Sequence, residues 1–537
     1  MMGIHSPQKE LFSYHIDLDQ RVRPDHPLRR IAAAIDFSFI RDEVADCYGH
    51  NGHESVDPAI LLKMMFLLFY DDIASERELV AISAERLDYL WFLGYGLDDK
   101  IPDHSVLSKA RRRWGREAFE KFFIRTVAQC VAAGLVDGKK LHVDSSLIAA
   151  HASRDSVVKS SPELIAALKA AYQAQESKLA EASTATAYEA VNDRMLSTTD
   201  PDAPVVRKNS EPARPAYHHH RAVDDVHGII TAVETTPGTI AENRKLMALV
   251  EQHQENTGAA VQTVVADSKY GTAENYVACQ QQGMTTHLGD VLGKQNHQRQ
   301  REGIFPDSAF IYNGPDNTYT CPAGQVMKPR RLHPWKRTWE YSLPKGVCVG
   351  CVLRAQCTRS RTSRTIHRHE HQELLDRARA QAHSRIGRTD QRRRQTLMEG
   401  SFADAANNHG FKRSRWRRLW RQQIQDWLIA AIQNIRILLR KGTQHRAGAA
   451  ALKVLWLEQM LITILRFCLS GNRSWAKSHR GVLGSRAFRA MSFRTETKPL
   501  DAIQKLYFGQ HALHIRQMNV DCSGLLAQVS SGCTRCP

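Results

Sequence analysis

No run in this chain is apolar for long enough to cross a bilayer, which takes about 20 residues in a helix. Leu61–Tyr70 is short and contains Lys63, and Leu455–Leu469 is broken by Glu458 and Arg466. A secretory signal is also missing: Met1–Gln20 is polar, carries charges of both signs and has no apolar centre. These absences predict a cytoplasmic protein with no membrane partner. Acids are scarce beside bases, 56 Asp and Glu against 74 Lys and Arg, which leaves a formal net charge of +18. Such a surplus calls for an anionic partner, nucleic acid being the commonest, or else marks an ordinary basic enzyme. A disulfide framework is not indicated, because the eleven cysteines are odd in number and mostly scattered. No internal repeat is present. The 537 residues suffice for two or three domains.

What is present begins with helices. Up to about Val136 the pattern is helical. Asp57-Pro58 reads as a cap and first position. The following Ile60, Leu61, Met64, Met65, Leu67 and Leu68 predict a helix apolar on nearly all sides, hence buried. Ser75-Glu76-Arg77-Glu78 has capping-box spacing. After a break at Pro102–Ser105, Val106–Trp114 predicts a basic helix carrying Lys109, Arg111, Arg112 and Arg113, suited to a helix-turn-helix-like DNA contact or to a solvated surface. Strands follow at Lys140–Asp144, His219–Val223, Gly228–Thr235 and Val261–Asp267, with helices near 160–199 and at Glu242–Glu251. This alternation predicts an α/β sheet. From Leu288 to Gln391 the pattern dissolves into polar, turn-rich sequence, and helix resumes after Glu399.

Asp144 and Asp267 each close an apolar, β-branched strand, and Glu399 opens a helical segment far downstream. In open α/β sheets chemistry gathers at strand ends. Three acids meeting there would hold hard cations: two Mg²⁺ ions about 3.5–4 Å apart clamp the attacking and leaving oxygens of a phosphodiester. The bland alternative is that each Asp is a turn residue or a cap.

The local sequences add a resemblance. Leu141-His142-Val143-Asp144-Ser145-Ser146-Leu147-Ile148 is similar to the first-Asp block of bacterial insertion-sequence DDE transposases, and Val265-Ala266-Asp267-Ser268-Lys269-Tyr270-Gly271 to the second. Glu399-Gly400-Ser401-Phe402, with Asn408-His409-Gly410-Phe411 after it, resembles the Glu block. Ile101–Ser108 resembles the InsH-type N-terminal domain. The resemblance runs from about residue 10 to 442. It implies a mixed α/β fold with an RNase H-like core, a helical N-terminal domain, and Asp144, Asp267 and Glu399 as ligands of Mg²⁺ or Mn²⁺. A water would cut the element's end, and the freed 3′-hydroxyl would attack target DNA with no protein nucleophile. Double-stranded DNA is then the partner, a homo-oligomer the working form on DNA, and the nucleoid its place in the cell. Where relatives often carry a basic residue seven positions after the Glu, this chain has Ala406; seven and four positions before it stand Arg392 and Gln395. Arg392, Arg393, Arg394, Lys412 and Arg413 would replace the missing phosphate contacts. Glu370, Glu373 and Asp404 are alternatives for the third acid. A decayed copy that only binds DNA, and an RNase H-like nuclease, are the rival readings.

Cys348-Val349-Gly350-Cys351, with Cys357 downstream and Cys321 upstream, offers four thiolates to a structural Zn²⁺ with bonds of about 2.3 Å, or else four reduced thiols. Arg394, Lys412, Arg413, Arg415, Arg417 and Arg418 are candidate phosphate contacts, while Trp416 and Trp420, four apart, are read as core anchors. His218–His220 are read as structural or near the site. The domains expected are 1–136 helical, 137–287 first catalytic part, 288–391 Cys-rich insert, 392–442 the Glu-bearing part, and a tail 443–537 of no assigned role.

Overall fold

The computed structural model describes residues 17–49, 54–159, 161–175, 195–207, 212–289 and 291–442. The tail with its four cysteines lies outside these residues, as does 176–194 of the helix expected near 160–199; Pro162–Gln175 is helical as expected, whereas Met195–Ser197 is a strand. Among the described residues no helix is long and apolar enough to cross a membrane.

Helix α1 (Pro58–Tyr70) starts on Asp57, whose carboxylate accepts from the Ala59 N–H at 2.9 Å. It is buried along almost its whole circumference. At α2 (Glu76–Glu85) the Ser75 hydroxyl accepts from Glu78 N–H at 3.2 Å, and the Glu78 carboxylate reaches back to Ala74 N–H at 3.1 Å, one residue before the expected partner. Asp103 caps α3 (His104–Trp114), which therefore begins two residues earlier than the sequence suggests. Helix α4 (Glu117–Ala132) completes the region.

Six strands form the central sheet: β1 (Lys140–Ala149), β2 (Val205–Val206), β3 (Arg214–Asp224), β4 (Ile230–Pro237), β5 (Thr263–Ala266) and β6 (Thr285–Leu288). β3 pairs antiparallel with β1, β2 and β4; β5 runs parallel to β1, and β6 parallel to β5. Crossover helices α5 (Leu246–Thr257) and α6 (Ala273–Gln281) separate the parallel strands. The mixed α/β class is as expected. β1 runs five residues past Asp144, which corrects its placement at a strand end.

The central strand β3 is polar and still buried. His219 pairs with Asp426 at 2.9 Å, and Arg221 donates to Ser401 at 2.6 Å and Gln433 at 3.1 Å. These partners offset burial that would otherwise cost a few kcal/mol per group, although Arg221 Nη2 and His220 Nδ1 have no hydrogen-bond partner among the described residues. Asp426 and Gln433 belong to α9 (Leu419–Ile437), itself buried from Gln422 to Ile435. One apolar core runs from α1, α3 and α4 through Ile148, Val223, Ile230 and Val233 to Met398, Ala405 and the apolar residues of α9. The N-terminal helices therefore share their core with the sheet.

The region 288–391 is more regular than its sequence suggests. Helix Val291–Arg301 leads to five antiparallel strands, β7 (Ile311–Asn313), β8 (Thr318–Thr320), β9 (Val326–His333), β10 (Thr338–Ser342) and β11 (Thr365–His369), in simple sequential order. Their core is small: Phe310, Tyr319, Met327, Tyr341, Leu343 and Ile366. Two helices return the chain to the main sheet, α7 (Gln372–Ala382) and α8 (Arg385–Asn408). Glu399 lies well inside α8 rather than opening a helix.

Candidate active site

In the parallel ladder Val143 of β1 stands beside Ala266 of β5. The next residues, Asp144 and Asp267, are therefore neighbours by register. Asp267 leaves the strand and caps the turn Ser268–Tyr270, accepting from Lys269 N–H at 2.9 Å. β4 runs the same way as β1, because both are antiparallel to β3, so the chain leaving β4 emerges at the same end of the sheet. There Glu242 opens the turn before α5. Ligand oxygens of Asp144, Glu242 and Asp267 all lie within 4.8 Å of one another. The sequence reading brought Asp144 and Asp267 forward and missed Glu242. The antiparallel β1–β3–β4 order was the signal that could have placed it.

The three acids are held rather than left to repel. Asp144 accepts from Ser145 N–H at 2.8 Å and from the Arg394 guanidinium at 2.8 Å. Glu242 pairs with the Lys269 ammonium. His218 stands 3.8 Å from Glu242 and 3.0 Å from the Ser145 hydroxyl. Two cations offset three carboxylates, so the pocket keeps a negative excess. Burial raises the Asp144 carboxyl above its ordinary range; Arg394 works against that rise, and Asp267 and Glu242 add to it. Tyr270 is fully buried beneath the acids. Burial pushes its phenol up, and Glu242, Asp144 and Asp267 push it further. It lies near Ser145, but no hydrogen bond of ordinary geometry satisfies the hydroxyl. Clustered carboxylates, one of them reluctant to ionise, beside an unsatisfied buried hydroxyl suit a hard divalent cation.

Glu399 does not join this cluster. Asp390, Met398 and Ala405 mark the buried face of α8, and Arg394 on that side reaches Asp144, whereas Glu399 is exposed. The other candidate acids are engaged elsewhere. Glu370 pairs with Arg337, Glu373 with Arg368, and Asp404 with Gln433 and Arg436.

Cys321, Cys348, Cys351 and Cys357 line one cavity of about 30 Å³, roomy enough for a water. Burial pushes the Cys348 and Cys357 thiols up. Among the described residues no three of these sulfurs lie within 4.8 Å of one another.

The basic candidates divide. Lys109, Arg112 and Arg113 share the exposed side of α3, and Lys412, Arg413 and Arg417 are exposed. Arg111 sits on the opposite side of α3, 2 % exposed, paired with Glu76 and stacked 3.9 Å over Trp416. It has no surface to offer a phosphate. Arg415 binds Asp72, Arg418 binds Asp202 at 2.9 Å, and Lys412 donates to Ser146 at 2.6 Å. Trp416 is buried edge-on against Phe69, as a core anchor should be.

Two families match parts of this chain. Residues 16–113 match the transposase domain DUF772, and residues 320–439 match the transposase DDE domain. The first takes in α1 to α3 up to Arg113, and the second takes in the four cysteines and Glu399. No curated protein matches the chain.

Proposed function

We propose, from the two matched transposase domains, that this chain is an insertion-sequence DDE transposase with an RNase H-like core, and that it cuts and rejoins DNA at the ends of a mobile element using divalent metal held at the acid pocket. The observation that carries this is the meeting of Asp144, Asp267 and Glu242 within 4.8 Å. Mg²⁺ or Mn²⁺ suits these all-oxygen ligands, and when bound it supplies stabilisation of charge building on the phosphoryl oxygens. Asp144, Asp267 and Glu242 would hold the ion. Arg394 fixes the Asp144 carboxylate in place, and Lys269 does the same for Glu242. Glu399, the acid its motif singles out, lies outside this pocket on the exposed side of α8 and is given no part in holding the ion. Lys109, Arg112, Arg113, Lys412, Arg413 and Arg417 neutralise phosphates. Joining two ends calls for at least two copies of the chain.

The test is a duplex carrying an element terminus, incubated with the full chain and Mg²⁺. Nicks with 3′-hydroxyl ends are expected, and none in excess chelator. Glu242→Gln should slow cleavage at least about tenfold while DNA is still bound, as loss of metal affinity does. Cleavage that persists in chelator sinks the proposal. Equal cutting of random duplexes would favour a nuclease, and binding with no cleavage a decayed copy.

For the cysteine cavity we propose a structural Zn²⁺, which Cys321, Cys348, Cys351 and Cys357 would hold as thiolates. It would tie together a five-stranded insert whose own core is six residues. One zinc per chain is expected in the purified protein, falling to none in Cys348→Ser/Cys351→Ser. A metal-free wild-type chain with an unchanged melting curve is the contrary result.

A further inference from the structure

The β9–β10 hairpin carries a feature the acid pocket does not use. At its turn, Pro334–Lys336, Trp335 is 81 % exposed. Leu332 faces Trp339 across the two strands, and these residues are 42 % and 37 % exposed. Two residues further along β10, Tyr341 is buried in the insert's core. An apolar patch thus continues from that core to the hairpin tip, and the largest ring on it is left in water.

Charge decides what covers the patch. Lys328, Arg330, Arg331 and Lys336 are exposed, and none makes an ion pair among the described residues. Glu340, the single acid of residues 326–342, pairs with His333. An apolar protein surface seated here would desolvate unpaired cations. A polyanion with π faces meets both demands: phosphates take the Lys and Arg side chains, and a base takes the indole. Bases within a duplex are already stacked on both faces, so the indole requires one that has left the stack.

We propose that this hairpin is a DNA contact in which Trp335 stacks on an unpaired base while Lys336 and Arg331 hold the flanking phosphates. The proposal rests on the reading of the chain as a DNA-handling enzyme.

The test measures binding of the full chain to a duplex with one unpaired adenine and to its fully paired counterpart. Wild type should prefer the unpaired form at least about fivefold, the lower end of what one base–aromatic stack contributes. Trp335→Phe should keep that preference and Trp335→Ala should erase it. Lys336→Gln/Arg331→Gln should weaken both duplexes alike and lower the salt slope by about 2. A Trp335→Ala protein that still prefers the unpaired form overturns the proposal, as does a wild type with no preference. A change of oligomeric state in Trp335→Ala by light scattering would assign the tip to self-association instead. A wild type that binds neither duplex would sink the transposase reading itself.

Discussion

Replacing Asp144 with Asn is expected to lower strand cleavage by about 10³-fold or more while the protein stays folded and bound to DNA. The size follows from what is lost. A correctly held divalent ion contributes several kcal/mol of transition-state stabilisation, and each 1.4 kcal/mol is a factor of ten. Asn keeps the shape but has one acceptor where Asp144 uses two, so it keeps either the Ser145 or the Arg394 hydrogen bond, and it offers the ion no charge. The stability outcome has a definite sign. Burial raises the Asp144 carboxyl above its unfolded value, even against Arg394. A group of this kind favours the fold below its unfolded pKa, and that contribution is lost as pH rises through the folded one. At neutral pH the metal-free Asn protein should therefore melt at the same temperature as wild type or higher. By the same sign, wild-type metal affinity should fall as acid protonates Asp144. Full cleavage by Asp144→Asn, or its collapse together with DNA binding and Tm, would contradict this account.

Arg111→Ala is expected to destabilise the protein by about 3–5 kcal/mol, the cost of breaking one side of a buried ion pair. Glu76 would lose its partner, and Trp416 the guanidinium stacked on it. Arg112→Ala, one residue on, should leave Tm within about a degree of wild type, as most surface substitutions do. It should instead lower the salt slope of DNA binding by about 0.9, the share of one phosphate contact. Melting curves and salt titrations of the two proteins separate these outcomes. If Arg111→Ala melts like wild type and binds DNA more weakly, its inward role is wrong.

The same helix shows how far the sequence could be read. Leu107, Ala110, Arg111 and Trp114 recur at i, i+3, i+4 and i+7 and are all buried. That stripe predicts which face turns inward. Arg111 was grouped with its neighbours because a run of arginines reads as a basic surface unless its periodicity is followed. Pro58–Tyr70 was plain, since a helix apolar on all sides can only be buried and its cap residues stand in order. β1 was recognised but cut short, because Ser145 and Ser146 interrupt its apolar pattern and its far half is held by pairing with β3. The insert's strands were invisible for a related reason. Lys328-Pro329-Arg330-Arg331 shows no alternation, and no strand gives the small core more than one of its six buried residues. Both Asp residues of the pocket lay in recognisable blocks. Glu242 carries no motif of its own, and only the strand order brings it to them.

The dependence of β3 on α9 sets an order on synthesis. His219 and Arg221 emerge from the ribosome some 200 residues before Asp426 and Gln433, the groups that satisfy them. Arg394, the counter-cation of Asp144, also arrives late. A product of premature termination ahead of residue 394 would carry the exposed arginines of α3 on a chain whose central strand lacks Ser401, Asp426 and Gln433. Early stop codons and frameshifts in this gene should therefore yield material for proteolysis.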